Sequence, residues 1–157
     1  MAKVKKIYLS GDHAGFKIKE KIIPWLEKQG YVVKDFGPHK FNPVDDYPDF
    51  VIPMAKAVAK DKNSRGIIIA GSGQGEVIAA NRIHGVRTVL YYGSKVPSAK
   101  KLLTLSRAHN NSNVLSMGAF FMKENEVKSA IKIWLEKPFS EEARHKKRLK
   151  KLEKLSR

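Results

Sequence analysis

Cysteine is absent from this 157-residue chain. That absence excludes disulfides, thiolate metal ligands and a catalytic thiol. No apolar run approaches the roughly 20 residues that a bilayer span needs, and Met1 to Ile7 leads into a strand-like segment with no hydrophobic signal region. The expectation is a soluble cytoplasmic protein with no membrane contact. Acidic residues are scarce, 15 Asp and Glu against 31 Lys and Arg, for a formal charge of +16. Such a surplus suits anionic partners, whether phosphorylated metabolites, nucleic acid or a membrane surface. For any single helical lysine, a solvated face is the simpler account. The most basic segment, residues 141–157, has no aromatic rings interleaved for base stacking, and no nucleic-acid recognition motif is visible. Nucleic-acid binding therefore stands as the alternative reading of the charge.

The hydrophobic fraction of 42% is enough for one globular core, and the length suits a single domain over residues 1–157. Apolar, β-branched runs alternate with helix-like segments. Strands are expected at Val4–Ser10, Tyr31–Phe36, Gly66–Ala70, Arg87–Tyr92 and Asn113–Met117. Helices are expected at Ala14–Lys28, Asp49–Lys60, Gly75–Arg82, Pro97–Arg107 and Glu124–Glu136, with Pro24 placed to kink or divide the first. Alternation of this kind predicts a three-layer α/β/α, Rossmann-like domain around a five-stranded parallel sheet. Residues 137–157 read as a separate basic helical arm with eight Lys/Arg against three Glu from Glu141 onward. Ser140 is placed to cap it, with Glu141 and Glu142 in its first turn. Its thin apolar stripe of Leu149, Leu152 and Leu155 suits packing on a second subunit.

In open α/β sheets ligands bind beyond the carboxyl ends of the strands. After the first strand comes Ser10-Gly11-Asp12-His13-Ala14-Gly15-Phe16. A carboxylate beside an imidazole can manage protons or hold a hydroxylated ligand, although Asp12 could equally serve only as a helix cap. After the third strand comes Ala70-Gly71-Ser72-Gly73-Gln74-Gly75-Glu76. Alternate glycines turn tightly and present N–H groups to an anion at a helix start. The spacing is neither the dinucleotide fingerprint nor a Walker loop. Glu76 can remove a carbon-bound proton while the amide nest stabilises the resulting enediolate. The plainer reading is a first-turn Glu favoured by the helix dipole. Arg107-Ala108-His109-Asn110-Asn111 offers an acid/base group and amides, or simply a turn. Arg144 and Arg148 share a helix face and suit a phosphate, or lie solvated.

Together these segments resemble the ribose-5-phosphate isomerase B family, which also includes the galactose-6-phosphate isomerase subunits. The matching pieces are GDHAGF at 11–16, DYPDF at 46–50, GSGQGEVIAANRIHGVR at 71–87, RAHNNSNVLSMG at 107–118 and RHKKR at 144–148. The resemblance implies an aldose–ketose isomerase that interconverts ribose 5-phosphate and ribulose 5-phosphate through an enediolate. Allose 6-phosphate and galactose 6-phosphate are the alternative substrates. One family branch takes its base from a Cys before the glycine loop, where this chain has Ala70. The other uses a Glu after the loop, with the loop Ser nearby, and Glu76 and Ser72 match it. By the same resemblance Asp12 and His109 assist ring opening. His13, Arg144 and Arg148 hold phosphate, Tyr47 lines the pocket, and Asn110 binds a substrate oxygen. Gly71, Gly73, Gln74 and Gly75 supply the nest. No metal or cofactor is implied. Family sites lie at a dimer interface, so a homodimer, or a tetramer of paired dimers, is expected, with some site residues supplied by the partner. One departure stands out: the family commonly carries an Arg after the fifth strand, where this chain reads Gly118-Ala119-Phe120-Phe121. Lys123 is the nearest basic substitute.

Overall fold

The computed structural model describes residues 4–93 and 98–155; Pro97, expected at the start of the fourth helix, lies outside them. The order along the chain is β1 (Lys6–Gly11), α1 (Phe16–Lys28), β2 (Val32–Asp35), α2 (Pro48–Lys60), β3 (Ser64–Ala70), α3 (Gln74–Asn81), β4 (Thr88–Tyr91), α4 (Ala99–Ala108), β5 (Val114–Gly118), α5 (Glu124–Glu136) and α6 (Ala143–Leu152). All strand pairs are parallel and the sheet order is β2-β1-β3-β5-β4. The expected α/β architecture is present.

Strand β3 lies at the centre because its side chains are apolar on both faces. Ile67 and Ile69 join the core under α1, α4 and α5, whereas Ile68 and Ala70 face α2 and α3. Successive side chains in a strand point to opposite faces, so an unbroken apolar run demands cover on both sides. The chain leaves β1 toward β2 in one direction, and β3 continues the sheet in the other. The carboxyl ends of β1 and β3 therefore flank the switch point where open sheets form ligand crevices.

Several local expectations change. Helix α1 runs undivided through Pro24. Lys19 on that helix is fully buried, with its ammonium bonded to Asp35 and to Glu20, so it belongs to no solvated face. The glutamates expected in the first turn of the arm helix precede it instead, because α6 begins at Ala143 with Glu142 as its N-cap residue. The cause is a turn in which Glu141 takes a left-handed φ of 58° and the Ser140 hydroxyl is drawn to His145 Nδ1 at 2.7 Å. Leu152 and Leu155, on the stripe expected to pack on a second subunit, are exposed in the single chain.

Candidate active site

At the carboxyl end of β1, Asp12 ties the first turn to the glycine loop. The Gly15 N–H donates to Asp12 Oδ1 (2.9 Å) and the Gly71 N–H donates to Oδ2 (3.2 Å). This closeness needs glycine. A Cβ on Gly15 would sit 1.8 Å from the Ile69 carbonyl oxygen. Gly73 takes φ of 76°, a left-handed backbone that glycine adopts without steric cost. Its carbonyl accepts the Ser116 hydroxyl at 3.0 Å, which anchors the loop to β5. That support went unread in the sequence, although a polar residue inside an otherwise apolar strand was the signal.

The loop presents the expected nest. Ser72 Oγ accepts the Gln74 N–H at 3.4 Å, and the N–H groups of Ser72, Gly73 and Gly75 have no protein acceptor among the described residues. Three residues into α3, Glu76 is only 4% exposed. Burial pushes its carboxyl above the ordinary carboxylate range, its own backbone N–H opposes the rise, and the nearby Asp12 charge adds to it. A partly desolvated carboxylate with a raised proton affinity, set at an amide nest, has the properties of a base for carbon acids.

Tyr47 packs over the nest, since a Cβ on Gly75 would approach its ring and hydroxyl to 2.8 Å. His13 makes two bonds to Asp45, from its backbone N–H at 3.2 Å and through Nδ1 at 2.7 Å. Asp45 was not singled out in the sequence, because the adjacent Asp46 is of the same type and nothing local distinguishes them. Phe120 lies in the segment after β5 where the resemblance led to the expectation of an Arg. Its N–H donates to the Gly71 carbonyl (3.1 Å) and its ring lies 2.8 Å from where a Gly71 Cβ would be, yet the residue is 70% exposed.

The remaining expected residues gather elsewhere. His109 is the C-cap of α4 and lies a short turn before β5, at the amino edge of the sheet. Its ring stacks on that of His145 at 4.2 Å with planes 29° apart. His145 adjoins Arg144, and Arg148 follows one turn later; Arg144 pairs with Glu142 at 2.8 Å. Asn110 is exposed on the same turn. Because the strands are parallel, about 20 Å of sheet separates this cluster from the Glu76 end. Within one chain, Asp12, His13, Tyr47, Ser72, Gly71 to Gly75 and Glu76 converge. His109, Asn110, Arg144 and Arg148 form a second group at the opposite edge. Among the described residues no cluster of three His, Asp or Glu side chains could hold a metal ion.

Residues 7–152 match the family described as Ribose/Galactose Isomerase. The chain belongs to that family. Its similarity to ribose-5-phosphate isomerase B of Mycolicibacterium paratuberculosis is 36% identity over 92% of this chain and 87% of that protein. Its similarity to the probable ribose-5-phosphate isomerase B of Mycoplasma pneumoniae is 36%, over 93% and 91% of the two chains. The crystal structure of ribose-5-phosphate isomerase B from Mycoplasma genitalium with bound ribulose-5-phosphate superposes with a TM-score of 0.88 at 32% identity, covering 98% of this chain and 97% of that one. In the ribose/galactose isomerase family frame, the crevice between β1 and β3 is the candidate catalytic centre, and the exposed Phe120 ring lies beside it at Gly71.

Proposed function

We propose that this chain, a sugar-phosphate isomerase of the ribose/galactose isomerase family, interconverts ribose 5-phosphate and ribulose 5-phosphate with Glu76 as the base. The observation that carries the reading is the buried Glu76 carboxyl at the edge of a nest with three amide N–H groups free of protein acceptors. Glu76 takes the proton from C2, beside the C1 carbonyl, and returns it to C1, while the proton of the C2 hydroxyl passes to the C1 oxygen. The nest N–H groups meet the negative charge that develops on the enediolate oxygen, so charge is stabilised by fixed dipoles and no metal is required. Asp12, held between the two turns, and His109 move the protons of ring opening. Ser72, on the loop that forms the nest, assists Glu76, and its hydroxyl holds the Gln74 N–H that flanks the loop.

His109 and Asn110 are at the wrong edge of the sheet to act on their own Glu76. The functional unit in this reading is a homodimer, in which His109 of the partner subunit and Asn110 of the partner subunit complete each site. Arg144 and Arg148, four residues apart on α6, reach the neighbouring site in the same way and hold the phosphate. The exposed Leu152 and Leu155 fit an arm that continues over that neighbour.

Phe120 favours a second sugar as an alternative substrate. A ring in place of a guanidinium leaves the phosphate fewer charged partners and offers an apolar surface beside Gly71, which allose 6-phosphate or galactose 6-phosphate could use. The test is turnover of the ribose, allose and galactose phosphates with EDTA present. Ribose 5-phosphate is expected to give the highest kcat/KM, unaffected by the chelator. Absence of turnover on all three sugars would end the isomerase reading, and restoration by a divalent ion after chelation would end the metal-free mechanism.

A further inference from the structure

His13 is held by a residue far along the chain. Asp45, in the loop between β2 and α2, places one oxygen, Oδ1, against both the backbone N–H and the Nδ1 of His13. One contact sets where the histidine backbone lies and the other sets the ring. With Nδ1 committed to the carboxylate, Nε2 is the ring nitrogen left without a protein partner among the described residues, and the His13 side chain is 36% exposed.

The Asp45 carboxylate itself is 4% exposed, and its second oxygen is buried without a hydrogen-bond partner. A buried carboxylate with half its acceptors unpaired is costly unless a cation stands beside it. Among the described residues no Lys or Arg pairs with Asp45, and the imidazole is the only basic group in contact. The charged groups facing His13 are Asp45, from the loop packed against it, and Asp12, its own neighbour in the chain. Both favour the imidazolium, and the Asp45 bond, the larger cause, outweighs the opposing effect of burial to hold the His13 pKa above its ordinary value.

We infer that Asp45 is a positioning residue for His13, fixing its ring through Nδ1 and keeping it as the imidazolium whose Nε2–H receives the anionic end of the substrate. The identity of that anion as a sugar phosphate rests on the function proposed above. The pairing itself does not.

Asn at position 45 can accept the same two bonds but carries no charge, so Asp45→Asn separates electrostatics from geometry. The His13 ring resonances, assigned with His13→Asn, are titrated by NMR in the full chain, and KM is followed across pH. In Asp45→Asn the His13 titration is expected to move to lower pH. KM for ribose 5-phosphate should rise about tenfold at the alkaline end of the profile, approach wild type at the acid end, and exceed the change in kcat throughout. Binding of sulfate, a dianion over the whole range, should weaken with the same pH dependence. Asp45→Glu should recover alkaline binding by restoring the charge. An unmoved His13 titration in Asp45→Asn, or a KM increase equal at all pH values, would overturn the proposal and leave Asp45 a packing residue. If wild type turns over no sugar phosphate, the isomerase reading fails, and the His13 titration with sulfate binding still decides the role of Asp45.

Discussion

Asp12 joins Gly71 across the gap between the two central strands, accepting its N–H at 3.2 Å while its other oxygen holds Gly15. The same carboxylate is a like-charge neighbour of Glu76 and helps raise the Glu76 pKa. Asp12→Asn keeps one acceptor and loses the charge. Losing one hydrogen bond should cost about 0.5–1.5 kcal/mol of stability. Removing a like charge lets Glu76 ionise at lower pH, so the acid limb of the kcat/KM profile should shift downward. Thermal unfolding and a pH–rate profile of the residual activity check the two effects separately.

Glu76→Gln retains shape and most hydrogen bonding but cannot accept a proton. It should cut kcat by about 10²–10⁴-fold, the usual effect of losing a general base, with KM changed only a few-fold. Stability should move the opposite way. The folded pKa of Glu76 is raised above its unfolded value, so this group's contribution is fully present below the unfolded value of 4.5 and is lost as pH rises through the folded value. Above that, the buried carboxylate is a standing penalty that Gln lacks. Calorimetry should find Glu76→Gln with a higher Tm than wild type at pH 7 and a similar Tm near pH 4. Normal turnover in this variant would move the base elsewhere.

The placement of Glu76 and His109 at opposite edges of one sheet leads to a mixing experiment. Glu76→Gln and His109→Ala proteins should each be inactive alone. When unfolded together and refolded as an equal mixture, about half of the dimers are mixed and one of their two shared sites is intact, so activity should return to about a quarter of wild type. Activity that stays at the level of the single variants would show that each site is built from one chain.

Much of the architecture was legible in the residues. The unbroken Gly66–Ala70 run announced a central strand because parallel sheets cover both faces, and strand β3 includes it. The alternate glycines at 71, 73 and 75 announced a tight amide-lined turn, because only glycine tolerates the backbone that Gly73 adopts. Glu76 could be singled out as a candidate because it directly follows that turn in the sequence, and the structure adds that its side chain is buried there.

Other features could not be read from local pattern. Lys19 looks like any solvated helical lysine until β2 brings Asp35 beneath it. Ser140 was a sound cap for a helix starting at Glu141, but the helix starts at Ala143, and the hydroxyl instead joins the Glu142 N–H to His145 Nδ1. Asp45 and His13 are 32 positions apart, and nothing in either segment specifies that the β2–α2 loop folds back over the first turn. What the residues determined alone were the elements with a strong period and the turns with a steric requirement, since both are set within a few peptide units. The tertiary structure decided which turns share a crevice: β1 and β3 lie side by side, so Asp12 meets the glycine loop and its charge reaches Glu76, while the parallel direction of β5 carries His109 to the far edge.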